Sequence, residues 1–146
     1  HRLAQPYYPP ELAAYDTAAI SRLIQPRVVR LTDIPEMVAF LAQPANHDAA
    51  LYVNEKSKAS LESGRFVLAN ALELFDGATE WTHAALAPML IEWGKQNGIK
   101  TGAVMWPVRI ALSGLASTPG GATEIAEILG RAETLRRMQA ALEKIA

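Results

Sequence analysis

An arginine inside an apolar segment is the residue of this sequence best suited to recognising a ligand. Arg109 lies between Lys100 and Gly114, in a stretch that is otherwise mostly apolar, and Pro107 lies two residues before it. A guanidinium carries five N–H donors in a fixed fork. Because its neighbours in the sequence are apolar, we expect this guanidinium to be half-buried. Such a charge needs a partner, which is either an internal carboxylate or carbonyl, or a bound ligand. The segment therefore predicts a recognition site, and nothing beside it suggests bond-making chemistry.

Other cationic residues are grouped near breaks in the chain. Arg27 and Arg30 follow Pro26, and Lys100 follows Asn97-Gly98. Three more arginines fall near the last helical pattern: Arg131, Arg136 and Arg137. For each of them, a solubilising surface charge is the simpler interpretation. The formal net charge of the chain is -1, so any contact with a nucleic acid must come from a local patch.

The residue types of catalytic and metal sites are scarce. There is no cysteine, and His1, His47 and His83 share no helix at the spacing of paired metal ligands. The sequence contains no nucleophile elbow, no phosphate-binding loop and no dinucleotide-binding glycine pattern. Glu124 and Glu127 lie near a helix start, where acidic side chains usually stabilise the helix dipole. We expect no catalytic residue, metal or cofactor in this chain.

Hydrophobic periodicity predicts helices almost throughout. Their approximate ranges are 11–24, 34–41, 57–74, 80–97, 100–114, 118–130 and 135–145. No alternating pattern typical of a strand is present, so we predict an all-α bundle of about seven helices. Apolar stretches fall well short of the ~20 residues that a membrane span needs. The sequence begins with His1 rather than Met, which suggests a fragment of a longer polypeptide.

Several of these segments, taken together, resemble the C-terminal anticodon-binding region of bacterial glutamyl-tRNA synthetases. The element Pro-x-Arg-x-Ala-Leu-Ser-Gly at 107–114, followed by Thr118-Pro119, is the most specific part. The other similar segments are 23–27, 31–35, 80–82, 100–106 and 124–130. The resemblance runs from about Tyr15 to the C-terminus.

The resemblance implies a helical cage of two subdomains, 1–50 and 51–146, joined to the catalytic core of the same polypeptide. That core would activate glutamate with ATP and Mg²⁺, whereas the present chain would hold no cofactor. The implied partner is glutamate tRNA, and the implied protein is monomeric, cytoplasmic and not bound to a membrane.

The resemblance also implies roles for particular residues. Arg27 would contact the first anticodon base, a pyrimidine, and an arginine here is associated with rejecting glutamine tRNA. Arg109, Thr118 and Pro119 would lie around the second and third bases. The turn 120–122 is one residue longer than usual and lacks an apolar side chain for the third base. The candidate contacts to the RNA backbone are Arg30, Lys100, Arg131 and Arg136.

The chemistry of RNA recognition fits these roles. Proteins mostly recognise unstacked loop bases through stacking and through hydrogen bonds to their Watson–Crick edges. A forked guanidinium suits two neighbouring acceptors, such as O2 and N3 of cytosine. Two other interpretations remain open from the residues alone. One is a helical protein–protein interaction module anchored by Trp81, Trp93 and Trp106. The other is a helix-turn-helix DNA-binding protein, which the lack of a basic recognition helix disfavours.

Overall fold

The computed structural model describes residues 3–28, 30–45 and 47–145, and this part of the chain is helical. Its seven α-helices are α1 (Thr17–Ile24), α2 (Ile34–Ala42), α3 (Leu61–Asp76), α4 (His83–Gln96), α5 (Thr101–Ser113), α6 (Ala122–Leu129) and α7 (Arg131–Ile145). Short 3₁₀ helices span Gln5–Tyr7, Pro10–Ala14, Gln25–Arg27, Leu31–Asp33 and Ala49–Tyr52. An isolated bridge between Asn54 and Ala59 is the sole strand-like pairing in these ranges. The all-α prediction is confirmed.

The first predicted helix, 11–24, is divided into two pieces. A 3₁₀ helix covers Pro10–Ala14, Tyr15 is extended, and α1 begins only after Asp16. The Asp16 carboxylate accepts hydrogen bonds from the N–H groups of Ala18 and Ala19, at 3.1 and 3.2 Å. A side-chain cap of this kind satisfies donors that the first turn of a helix leaves free. The prediction of one continuous helix over 11–24 is therefore wrong, because Asp16 caps a separate helix that begins at Thr17.

Three later helices also begin further along the chain than predicted. α3 begins after Ser60 and α4 after Thr82, whose hydroxyls accept from the N–H groups three residues ahead. The prediction that Thr118 begins the sixth helix is wrong. The Thr118 hydroxyl instead donates to the carbonyl of Gly120, and α6 begins after Gly121. The residues 118–121 therefore form a loop that precedes α6.

The helices share a continuous hydrophobic core. α5 lies at its centre and packs against α3, α4, α6 and α7, while α1 packs on α6. The buried apolar cluster extends from Leu12, near the start of the chain, to Ile145 at the end of α7. The two predicted subdomains, 1–50 and 51–146, therefore contribute to one core, and the boundary between them stays a prediction. No helix in the described ranges is long and apolar enough to span a bilayer.

The backbone at the end of α5 is in close contact with the segment that follows α2. Gly114 ends α5 with a φ of 73°, a conformation that glycine adopts without strain. A Cβ atom on Gly114 would lie 2.0 Å from the carbonyl oxygen of Ala45. The Ala45 N–H donates to the carbonyl of Ser113 at 2.8 Å. This close backbone contact fixes the connector after α2 against α5.

A buried arginine joins three helices near the same place. Arg137 of α7 is 2% exposed. Its terminal nitrogens donate to the carbonyls of Phe40, Leu41 and Leu112, at 2.7–2.8 Å, and its Nε donates to Glu133 at 3.2 Å. These carbonyls belong to the last turns of α2 and α5, where no helical N–H is available. A solubilising surface role is wrong for Arg137, because its donors hold the helix ends together.

Candidate nucleic-acid interface

Three of the four residues implied to contact anticodon bases line one cavity. Arg27, Arg109 and Thr118 meet there around a volume of about 440 Å³. The cavity lies where the 3₁₀ turn after α1, the last turns of α5 and the loop 118–121 come together. Arg22 of α1 and Glu124 of α6 also contribute to its wall. The fold therefore gathers residues that are more than 80 positions apart in the sequence.

A glycine allows α1 to approach the loop closely. Gly120 has a φ of 80°, and a Cβ atom placed on it would lie 2.1 Å from Cδ1 of Leu23. Leu23 is buried near the end of α1, four residues before Arg27. The hydroxyl of Thr118 donates to the carbonyl of Gly120 at 2.9 Å and shapes the same loop. The absence of a side chain at Gly120 thus sets the spacing between Arg27 and Thr118.

Arg109 is oriented by its neighbours, and most of its donors remain available. The predicted half-burial is confirmed. Its guanidinium carbon lies 5.8 Å from the ring centre of Trp106, within the range of a cation–π contact. The indole N–H of Trp106 is held in turn by the carbonyl of Leu51 at 2.9 Å. One terminal nitrogen of Arg109 donates to Ala116 at 3.3 Å, whereas its buried Nε has no partner.

The cavity carries an excess of positive charge that the protein does not neutralise. Three guanidinium groups, those of Arg22, Arg27 and Arg109, share its wall with the carboxylate of Glu124. Within the described ranges, both ion pairs involve Glu133 of α7, so no cavity arginine is paired. Arg22 and Arg27 also form no hydrogen bond with another described residue. Unpaired arginines that line one cavity suit an electron-rich ligand.

Four of the candidate RNA contacts lie outside the cavity: one for a base and three for the RNA backbone. Pro119 is buried and does not line the cavity, although it adjoins Thr118. Arg30 and Lys100 are exposed. Lys100 precedes α5 and lies about 13.5 Å along the helix axis from Arg109, at a rise of about 1.5 Å per residue. Arg136 is exposed on α7 and forms an ion pair with Glu133. Contacts of these residues with RNA stay a prediction.

Arg131 makes its contacts within the protein. Its terminal nitrogens donate to the carbonyls of Phe75 and Asp76, at 3.1 and 2.8 Å, and to that of Ala78. Its guanidinium carbon also lies 5.2 Å from the ring centre of Trp81. Phe75 and Asp76 are the last two residues of α3, and Ala78 follows the helix, so Arg131 caps its C-terminal end. An RNA contact by Arg131 stays a prediction, and it would compete with these bonds.

Arg22 and Glu124 are cavity residues that the sequence analysis missed. Arg22 lies five positions before Arg27, and only the packing of α1 on α6 shows that both face one cavity. Glu124 occupies the position expected for stabilising a helix start, and its Oε1 does accept from the N–H of Gly121 at 3.0 Å. No group of three acidic, histidine or cysteine side chains in the described ranges could hold a metal ion.

Most of the tryptophans proposed as anchors of a protein–protein interaction module make contacts within the protein. The indole N–H of Trp81 donates to the carbonyl of Ala126 at 2.8 Å, and Trp106 is bonded as described above. Trp93 packs against Phe66, with ring centres 5.6 Å apart, and Phe66 is 47% exposed. Two of the three proposed anchors therefore serve internal packing, which weakens the case for a protein-binding module.

Comparison with known proteins identifies the family of this chain. A family model described as an anticodon binding domain matches residues 1–142. The chain belongs to this anticodon-binding domain family. The resemblance to the anticodon-binding region of glutamyl-tRNA synthetases is confirmed as well, because the glutamate–tRNA ligase of Clostridium novyi (strain NT) is 40% identical over 150 residues. That of Clostridium tetani (strain Massachusetts / E88) is 38% identical over 146 residues.

These relatives are much longer than this anticodon-binding domain. Each alignment covers 99% of the chain but only 31% and 30%, respectively, of the two ligases. A crystal structure of a glutamate tRNA ligase from Elizabethkingia meningosepticum CCUG26117, in complex with its amino acid, has the same fold. Its TM-score is 0.73 at 18% identity, over 90% of this chain and 26% of that one.

Proposed function

We propose that this domain binds the anticodon of glutamate tRNA and holds unpaired bases in the cavity lined by Arg27, Arg109 and Thr118. The meeting of these three residues, with the guanidinium groups of Arg27 and Arg109 in no ion pair with a described residue, is the observation that carries the proposal. Loop bases can be splayed apart and bound through their Watson–Crick edges. The cavity offers the matching donors, and the packing of α6 against α1 and α5 brings them to one place.

Each element of the cavity has its own task in this proposal. Arg27 donates to the acceptor atoms of the first base, a pyrimidine. Arg109 donates to a second base from the platform that Trp106 provides. The loop 118–121 contributes backbone N–H and carbonyl groups, which recognise base edges without the entropy loss of a long side chain. Arg30, Lys100 and Arg136 are proposed to attract the phosphate backbone.

The remaining steps belong to the parent protein. Because the chain spans about 31% of the ligase that it matches, we place glutamate activation, with ATP and Mg²⁺, on a catalytic core in the same polypeptide. The domain would then select the tRNA whose acceptor end that core charges. We further propose a monomer that acts in the cytoplasm.

Substitution of the cavity arginines tests the proposal. Arg27→Ala and Arg109→Ala should each weaken binding to glutamate tRNA by about 5–150-fold, the equivalent of one good base contact, by analogy with DNA. Binding to unrelated tRNAs should change little, and circular dichroism should show an intact fold. Equal loss for all tRNAs would contradict base recognition.

The matched control is an arginine outside the cavity. Arg30→Ala should weaken binding to every tRNA alike and should reduce the dependence of affinity on salt by about one unit of slope. The unmodified chain should lose affinity steeply as salt increases. A salt-insensitive interaction would favour the protein-binding alternative instead.

A further inference from the structure

A carboxylate in the arginine-lined cavity has a free acceptor. Glu124 shares the cavity wall with three guanidinium groups, yet no arginine nitrogen lies within ion-pair distance of it. Its Oε1 accepts the N–H of Gly121 at 3.0 Å at the start of α6. This is the glutamate half of a capping box, since Gly121 has no side chain to form the other half. The Oε2 of Glu124 has no partner among the described residues. The cavity therefore presents a fixed acceptor as well as several donors.

The capping bond determines which part of the carboxylate remains available. With Oε1 held by the backbone of the loop, the carboxyl group has a fixed orientation, and Oε2 is the oxygen left for a ligand. A bound group that filled the cavity would remove water from this oxygen. Such a ligand must supply a hydrogen-bond donor, since burying an unpaired carboxylate oxygen is costly.

The pattern of donors and acceptors selects among the bases. Cytosine presents two neighbouring acceptors, O2 and N3, followed by the exocyclic amine at C4. Uracil presents an N–H at position 3 and a carbonyl oxygen at C4, so its O4 would face the carboxylate. Adenine offers one acceptor, N1, beside its amine, and guanine presents donors where the arginines need acceptors. An arginine fork and a carboxylate that line the same cavity therefore match cytosine.

We propose that Glu124 is a specificity-determining residue for a cytosine of the bound RNA. Its carboxylate accepts a hydrogen bond from the exocyclic amine while a cavity arginine donates to O2 and N3. Acidic side chains accept from the same amine when proteins recognise cytosine in DNA. The inference rests on the proposed anticodon binding, and it adds discrimination between cytosine and uracil.

The substitution Glu124→Gln isolates this contact. Glutamine also serves in a capping box, so its amide oxygen can keep the bond to Gly121. Its NH₂ group then occupies the place of Oε2 and offers a donor, which suits O4 of uracil. Glu127→Gln is the matched control. Glu127 lies on the same helix, and its Oε1 likewise accepts a backbone N–H, that of His83, at 2.8 Å.

The experiment measures dissociation constants for anticodon stem–loops of glutamate tRNA in which each anticodon base is changed in turn. The unmodified protein should prefer cytosine over uracil at one position by about tenfold or more. Glu124→Gln should abolish or reverse that preference, whereas Glu127→Gln should retain it. A retained preference in Glu124→Gln, or an equal loss for every stem–loop, would overturn the inference.

A second arm uses the unmodified protein, and so does not depend on how well the variant folds. Pyrimidin-2-one, which lacks only the amine of cytosine, should bind about as weakly as uracil at the same position. The Glu124→Gln variant should bind the stem–loop with pyrimidin-2-one at least as tightly as it binds the stem–loop with cytosine. Unchanged binding of pyrimidin-2-one to the unmodified protein would overturn the role of Glu124. Failure to bind any stem–loop would instead overturn the proposed function.

Discussion

The cavity and the crossing of α2, α5 and α7 both depend on arginine, but they use it in opposite ways. At the crossing, Arg137 is buried and its donors bond to three backbone carbonyls. At the cavity, Arg27 has no internal partner and Arg109 has one weak bond to a carbonyl. The difference shows that helix ends determine the role of an arginine in this fold. Where their carbonyls converge, the guanidinium is structural, and where none is near, it is available to a ligand.

The comparison predicts that removal of Arg137 has the largest effect on stability. Arg137→Met keeps the apolar stem but leaves buried carbonyls without donors. We expect the free energy of unfolding to fall by about 3–5 kcal/mol, the range for removing one partner of a buried charged network. Urea denaturation of the variant and of the unmodified chain measures this loss in the free energy of unfolding. Affinity for RNA, corrected for the folded fraction, should remain unchanged.

The neighbouring arginine provides the control. Arg136 lies one position earlier, with a side chain that is 63% exposed, and its ion pair is of the kind that contributes at most about 1 kcal/mol. Arg136→Met should therefore leave stability nearly unchanged. Equal destabilisation by the two substitutions would contradict the contrast between buried and exposed arginines.

A substitution at Gly120 should affect both stability and binding. Gly120→Ala introduces strain at positive φ and a methyl group against Leu23. Gly98→Ala has the same backbone strain but open space around the new Cβ, so it should cost about 1–2 kcal/mol. Gly120→Ala should cost about 1–3 kcal/mol more, the range for overpacking.

Binding then distinguishes the two glycine variants. Because Gly120 sets the distance between α1 and the loop, its variant should lose affinity for glutamate tRNA at a temperature where it is fully folded. Gly98→Ala should bind as the unmodified chain does. If both variants bound equally well, the spacing of Arg27 and Thr118 would not matter for recognition.

The smallest expected effect is on stability at acidic pH, through Glu133, the partner of Arg136 and Arg137. The hydrogen bond from Arg136, and then that from Arg137, lowers the pKa of Glu133 below its usual value of 4.5. A carboxyl group with a lowered folded-state pKa stabilises the fold above its unfolded pKa, and this contribution is lost as pH falls through the folded-state value. Glu133→Gln should therefore weaken the decline of stability below about pH 4.5. Urea denaturation at neutral and acidic pH measures this decline in the free energy of unfolding. An equal decline in the unmodified chain and in Glu133→Gln would contradict the prediction.

The sequence predicted the helices better than their ends. Apolar periodicity and breakers located all seven, and Gly114 and Gly98 have the positive φ expected of residues that follow helices. The predicted start of α4, at residue 80, was wrong because Thr79 and Thr82 are both suitable N-caps. Tertiary packing decides among such neighbours, and Thr82 is the residue whose hydroxyl accepts from Ala85.

The error at Arg137 has a physical cause as well. Apolar spacing predicts a buried face of Leu135, Met138, Leu142 and Ile145 for α7. Met138 and Ile145 are buried, whereas Leu135 and Leu142 are half-buried. The buried face also includes Thr134, Arg137 and Ala141, and the donors of Arg137 bond to distant carbonyls. No local pattern reveals acceptors that lie about 100 positions away in the sequence.

The candidate interface was only partly accessible from the sequence. The resemblance pointed to Arg27, Arg109 and Thr118, which the fold does bring together. Arg22 and Glu124 could not be assigned to the same surface, because their position depends on α1 packing against α6. Whether a charge is neutralised depends on such contacts, so an unpaired guanidinium is a property of the fold and not of the local sequence.

The most direct test of the central claim follows the arginine side chains themselves. NMR spectra of the Nε–H groups of the chain can be recorded while an anticodon stem–loop of glutamate tRNA is added. We predict that the signals of Arg27 and Arg109 shift with the RNA, while that of Arg137 stays in place. Shifts at arginines outside the cavity, with those of Arg27 and Arg109 unchanged, would contradict the account.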